Sequence, residues 1–306
     1  MIITISHPLR VASTWEMSTF LQYSRYHACR SVFRMEKDRL IPGNILFSQL
    51  LGNLCTTDGN KTAAVYSLTH TYPADFTQIS EFEIVLAANH ERCLFILNRT
   101  NDQVSPFAGA CDGKEGLCDG TEPLFTSPYL ITHDNSNPDL LYFVDGFAVR
   151  MLNMSQTLFV TTLFVRNNSS RYTEITDMTV DLDGTYLYLC YVYWDYRHTG
   201  LVRYHRATNE SEEILRREYL FFCMNLYRNF MVVTQGYDES LLFIDLDTKS
   251  NFSICTGETG HRNGNSSFCQ LLEPESFVVI GDEIFVEDQS GISVLKGRVE
   301  GQLIFS

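Results

Sequence analysis

Residues 83–109 read EIVLAANHERCLFILNRTNDQVSPFAG, and the chain continues through ACDGKEGLCDGTEPLFTS to PYLITHD at 128–134. EIVLAAN, RCLFILNR, VSPFAG and PYLITHD are short runs rich in β-branched, aromatic and other apolar residues, each ended by a polar or glycine-bearing turn. That combination is the signature of strands joined by turns. The rhythm repeats downstream. LLYFVD (140–145), FAVRMLNM (147–154), TLFVTTLF (157–164) and ITDMTVDL (175–182) form the next set. TYLYLCYVYWD (185–195), GLVRYHRA (200–207), EEILRRE (212–218) and LFFCMNLY (220–227) form a third. FMVVTQG (230–236), SLLFIDLD (240–247), NFSICTG (251–257) and ESFVVI (275–280) follow, and EIFVED (283–288), GISVLKG (291–297) and QLIFS (302–306) end the chain. At the front, residues 17–24, 29–36, 44–51 and 75–80 fit the same scheme.

Units of about 50 residues, each with four strands and with few helix signals, call for a repeat architecture. A radial array of four-stranded sheets protects most of its strand edges by repetition. The expectation is therefore an all-β fold, a six-bladed β-propeller of four-stranded antiparallel blades. One domain covers 1–306, with blades at roughly 1–74, 75–127, 128–174, 175–218, 219–270 and 271–306.

The formal charge of −14 makes phosphate backbones and anionic headgroups poor partners, because both would be repelled. No apolar run is long enough to span a bilayer as a helix. The start, MIITISHPLRVAS, carries no signal peptide. Two other features point to secretion. Eight of the 17 asparagines head an N-x-Ser/Thr sequon: Asn60, Asn98, Asn153, Asn167, Asn168, Asn209, Asn251 and Asn265. Composition alone predicts about three. Nine cysteines include two pairs that close short polar, glycine-rich loops, Cys111/Cys118 and Cys255/Cys269. No histidine stands at finger-like spacing around the first pair, so a zinc site is the weaker reading and disulfides are expected. A third disulfide, Cys190–Cys223, is expected between adjoining blades, and the pairing of Cys29, Cys55 and Cys93 stays open. Secretion then requires a leader or further ectodomain upstream of this chain.

Unit 83–128 resembles the NHL-repeat family of propellers. Ala88-Asn89-His90-Glu91-Arg92 fills the family's Asn-His-Arg-like corner, and Phe107-Ala108-Gly109 ends a strand. Asp119-Gly120 and Phe125-Thr126-Ser127-Pro128 close the connection. Tyr26-His27-Ala28-Cys29-Arg30 and Asp58-Gly59 echo the pattern. Leu141-Tyr142-Phe143-Val144-Asp145 and Tyr193-Trp194-Asp195 are similar to the Tyr-Trp-Thr-Asp blades of lipoprotein-receptor propellers, the second choice of family. Both imply the same architecture.

The resemblance implies two kinds of axial metal chemistry. His27 and His90, at equivalent corners, are candidate metal ligands by analogy with NHL-like lyases that hold zinc near the axis, but repetition once per blade favours a structural role. Lactonase-type propellers hold calcium with hard oxygen ligands at the central mouth. The corresponding strand-end candidates are Glu83, Asn89, Asp134, Asp145, Asp183 and Asp282. No nucleophile elbow, phosphate loop or HExxH occurs. His198 and His205 read as exposed turn residues. The aromatic cluster Tyr191, Tyr193, Trp194 and Tyr196 is a candidate binding surface, since Tyr and Trp are enriched in hot spots, but such density more often serves blade packing, and that reading is favoured. The leading expectation is a secreted, glycosylated, non-catalytic module for a protein partner. The alternative is a calcium- or zinc-dependent hydrolase or lyase.

Overall fold

A computed structural model describes residues 12–22, 32–41, 44–49, 53–58, 62–67, 73–155, 157–165, 172–193, 197–218, 221–235, 239–256, 260–265 and 268–300. Within them the chain forms six antiparallel sheets and no helix. The N-terminal strand β1 (Ala12–Gln22) stands apart from its sequence neighbours. The first blade is β2 (Val32–Lys37), β3 (Ile45–Gln49), β4 (Asn53–Thr57) and β5 (Thr62–Ser67). The second is β6 (Asp75–Gln78), β7 (Glu83–Ala88), β8 (Cys93–Asn98) and β9 (Gln103–Ala108). The third is β10 (Pro128–His133), β11 (Leu140–Asp145), β12 (Ala148–Asn153) and β13 (Phe159–Val165). The fourth is β14 (Tyr172–Val180), β15 (Tyr186–Tyr193), β16 (Thr199–His205) and β17 (Glu210–Arg217). The fifth is β18 (Phe221–Tyr227), β19 (Phe230–Gln235), β20 (Ser240–Asp245) and β21 (Asn251–Ile254). A two-residue strand β22 (Gly264–Asn265) precedes the sixth blade, β23 (Ser276–Ile280), β24 (Glu283–Asp288) and β25 (Gly291–Glu300).

Each of the first five blades is a meander in chain order. The first strands β2, β6, β10, β14, β18 and β23 contact one another in a closed circle, so they line the axis and the fourth strands form the outer edges. In an antiparallel meander the first-to-second and third-to-fourth turns lie at one end, called here the turn end. The second-to-third turns and the connections between blades lie at the other, the crossover end.

The sixth blade has three strands from the C-terminus, and β1 supplies the fourth by pairing with β25 from Ala12↔Glu300 to Gln22↔Gly291. This corrects the expectation that residues 17–24 open the first unit. A ring must close, and joining both chain ends in one blade closes it with sheet hydrogen bonds. Strand β22 then pairs with the outer side of β1, through Glu16↔Asn265.

The core lies between blades. Second strands are the most deeply buried: Ile84, Val85, Leu86 and Ala87 in β7, and Leu141, Tyr142, Phe143 and Val144 in β11, are fully covered. A strand packed on both faces reads as a continuous apolar run, which is why these segments stand out in the sequence.

Candidate functional site at the axial mouth

At the turn end the first strands surround a cavity of about 270 Å³ to which all six blades contribute, among them Lys37, Thr77, His133, Thr179, Asn225 and Val278. Its walls are tied to the fold. Glu36 Oε2 accepts the Gln78 backbone N–H at 3.0 Å and its side-chain amide at 3.1 Å, while Gln78 Oε1 accepts the Arg39 N–H. His133 is 8% exposed, and neither ring nitrogen meets a partner at hydrogen-bond geometry. Burial and the Arg39 charge lower its pKa, against opposing pulls from the Pro138 carbonyl, Glu36 and Asp134. A neutral imidazole among threonines and asparagines can exchange hydrogen bonds with a polar group. Among the described residues no nucleophilic side chain lies at hydrogen-bond geometry to either ring nitrogen.

The six metal candidates are not brought together. Asn89 and Asp145 lie at the crossover end of β7 and β11, whereas Glu83, Asp134, Asp183 and Asp282 lie at the turn end. The acids are committed elsewhere. Asp134, fully buried, pairs with Arg206 at 2.8 Å and accepts bonds from Ser136, Asn137 and Tyr142. Asp145 pairs with Arg150 at 2.8 Å and accepts the Thr126 and Ser127 N–H groups, each at 2.7 Å. Asp282 pairs with Arg228, Asp183 caps the Thr185 N–H, and Glu83 accepts from Ser80. Among the described residues no three His, Cys, Asp or Glu side chains converge on a metal position. The set does not fit a calcium site, because its carboxylates already hold arginines and backbone donors. His90 is exposed at its corner, and His27 lies outside the described residues.

The described members of the aromatic cluster are buried, as blade packing requires. Tyr191 and Tyr193 are 6% and 3% exposed: Tyr191 packs in the core between the third and fourth blades, and Tyr193 bonds Glu213 beneath the Arg216 guanidinium. Trp194 and Tyr196 lie outside the described residues.

Among the cysteines, Cys255 joins Cys269 across 14 residues, but Cys111 joins Cys93 and leaves Cys118 as an exposed thiol. The reason is strand register. Leu94 pairs with Ala108 in the β8–β9 ladder, which carries the residues just beyond it, Cys93 and Cys111, to a Cα separation of 4.9 Å. Cys190 and Cys223 remain thiols. Successive residues of a strand face opposite ways. Met224 therefore meets the Cys190 sulfur at 3.5 Å, while Cys223 faces the Phe277 carbonyl of the sixth blade. Cys55 is disulfide-bonded as well.

Sequence reasoning missed the joints between blades. Arg99, in a third-to-fourth turn, makes a two-pronged pair with Asp38 of the preceding blade at 2.8 and 3.1 Å, with both side chains fully buried. Arg206, in the same turn of the fourth blade, reaches the buried Asp134 of the third blade through a single N–H at 2.8 Å. Asp75 and Asp177, in first strands, each accept their following N–H and reach the next blade at Ile131 and Met224. Arg150 is fully buried, bonds the Leu124 and Cys118 carbonyls and Asp119, and lies 5.0 Å from the Phe125 ring centroid. The signal for it was a lone arginine inside an apolar strand, AVRMLN.

No family model matches the chain, and no curated protein matches it. Solved structures do. An auxiliary nutrient binding protein from Bacteroides thetaiotaomicron is similar at TM-score 0.68 and 12% identity, covering 93% of this chain and 77% of that one. A gluconolactonase from Xanthomonas campestris is similar at TM-score 0.63 and 10% identity, covering 92% and 89%. A chain of a nidogen/laminin complex is similar at TM-score 0.56 and 11% identity, covering 78% and 91%. These likenesses establish the six-bladed propeller fold. No helix among the described residues is long and apolar enough to cross a membrane.

Proposed function

We propose that this is a secreted, N-glycosylated propeller with NHL-type blades that serves as a binding module for a protein partner. One observation carries the reading. Of the eight sequon asparagines, Asn98, Asn153, Asn209, Asn251 and Asn265 lie in the described residues, and none is buried. An arrangement indifferent to glycans would be free to pack some inside blades. The disulfides support an oxidising compartment. The NHL reading is supported by contacts among its motif residues. Gly109, at φ +95°, has no space for a Cβ, which would stand 2.7 Å from the Phe125 ring and 2.9 Å from the Arg92 carbonyl.

A binding surface is offered at the crossover end of the third blade, where Leu117, Phe147 and Val165 are 43%, 57% and 51% exposed. The structural likeness to a chain of a nidogen/laminin complex supports a protein as the partner class. The first experiment is mass measurement of protein secreted from a eukaryotic host, before and after glycosidase treatment. A mass drop is expected, and an unchanged mass retires the secreted reading. Screening against an array of extracellular proteins should then find a binder whose signal is lost in Leu117→Glu/Phe147→Glu. A binder indifferent to that pair places the surface elsewhere.

A further inference from the structure

The sequons follow the blades. Asn98, at the end of β8, and Asn153, at the end of β12, open the third-to-fourth turn of the second and third blades. Asn209 lies in that turn of the fourth blade, and Asn251 closes it in the fifth as the first residue of β21. Asn60, outside the described residues, falls in chain order between β4 and β5 of the first blade. The sixth blade has no such turn, because its fourth strand comes from the other end of the chain. It has a substitute: Asn265 sits in β22 against the outer side of β1. Every blade thus carries a sequon where its outermost strand starts or, in the sixth, directly beside it.

The local geometry agrees. Asn98 Oδ1 accepts the Thr100 N–H and hydroxyl, Asn153 Oδ1 accepts the Ser155 N–H, Asn209 Oδ1 accepts the Tyr204 hydroxyl and Asn251 Oδ1 accepts from Arg217. In all four the oxygen is engaged, and the amide nitrogen, to which a glycan attaches, makes no hydrogen bond among the described residues.

The outer strand of a blade presents unpaired backbone N–H and C=O groups, a template for pairing with another sheet; in the third blade Gly120 covers part of that edge by pairing Val160, and in the sixth β22 covers part of β1. We infer that N-glycans, one per blade, ring the turn-end rim of the propeller where its outer edges begin and shield those edges, leaving the crossover end as the place where a partner can dock. The inference rests on the secreted reading but goes beyond it. Asn167 and Asn168, in the connection after β13, are not required by it.

The test is site-by-site occupancy. Protein secreted from a eukaryotic host is treated with peptide-N-glycosidase in heavy-oxygen water, and each sequon peptide is read by mass spectrometry. Label at Asn60, Asn98, Asn153, Asn209, Asn251 and Asn265 is expected. Glycan at Asn167 or Asn168 with any of those six recovered unlabelled keeps the secreted reading and overturns the one-per-edge rule. No label at any sequon overturns both. Enzymatic removal of glycans from the folded protein, followed by size-exclusion chromatography with light scattering, tests the shielding role. A shift from monomer to dimer and larger species is expected, and an unchanged monomer overturns it.

Discussion

The connection entering the third blade and the connection entering the sixth look alike in sequence, long and glycine-rich with cysteines, yet they are anchored differently. Both close on a buried aspartate at the end of a second strand. Asp145 accepts two backbone N–H groups from the first connection and pairs with Arg150. Asp288 accepts the Leu272 N–H from the second and pairs with His261 at 2.9 Å, while Ser290 and Gly291 of its own blade supply three further donors. A guanidinium is always charged and can bond several acceptors in one plane. Arg150 accordingly gathers Asp145, Asp119 and two carbonyls around one fully buried guanidinium. Asp288 already has its donors, so a weaker partner suffices. Asp145, which resembled a metal ligand, is therefore a blade joint like Asp288, and the partner facing each one shows how much the joint depends on a fixed charge.

The largest effect should come from Arg150→Met. Breaking a buried pair by removing one partner leaves an uncompensated charge, and the expected loss is about 3–5 kcal/mol. Urea denaturation reads it. Arg150→Met/Asp145→Asn should recover part of the loss in a double-mutant cycle. Simple additivity would show that the two side chains act independently, against the knot described here.

Next come the disulfides. Cys93–Cys111 closes 18 residues and Cys255–Cys269 closes 14, so the chain-entropy model assigns each about 3 kcal/mol. Paired Cys→Ala variants should lose similar amounts at the two connections. A much larger loss for Cys93→Ala/Cys111→Ala would mean that the Arg150 knot needs the crosslink to form.

These two connections also show how far reading the chain reaches. The blades were readable because strand burial is local: EIVLAAN and LLYFVD announce themselves in six or seven residues. The ring closure was not, since nothing in residues 12–22 says that the partner lies some 280 residues away in β25. The Cys93–Cys111 pair was within reach, because folding β8 onto β9 in register brings those two together. Choosing the nearest cysteine in sequence ignored the hairpin. At the mouth, the acidic candidates were sound in type but not in place. Strand ends recur at both ends of a propeller, and only the sheet direction sorts one end from the other.

His261→Gln should cost no more than about 1 kcal/mol, because the four remaining donors keep Asp288 satisfied. Thermal denaturation against Arg150→Met gives the contrast directly. A loss matching that of Arg150→Met would erase the distinction between the two joints.

The smallest effect is at the axial mouth, and its sign follows from burial. With its pKa lowered in the fold by burial and by Arg39, His133 binds its proton less readily than in the unfolded chain, where histidine titrates at about 6.5. Below that value the unfolded state takes up the proton first. The stability tied to the neutral ring is therefore complete above pH 6.5 or so and is lost as pH falls toward the folded pKa. Asp181 and Glu275, both raised by burial, titrate in the opposite sense, so the informative quantity is a difference. Wild type should lose more melting temperature than His133→Gln between about pH 7.5 and pH 5. Parallel curves would mean that the mouth admits enough water to solvate the imidazolium, and a wet mouth would have to be treated like the exposed turns around it rather than like the dry joints between blades.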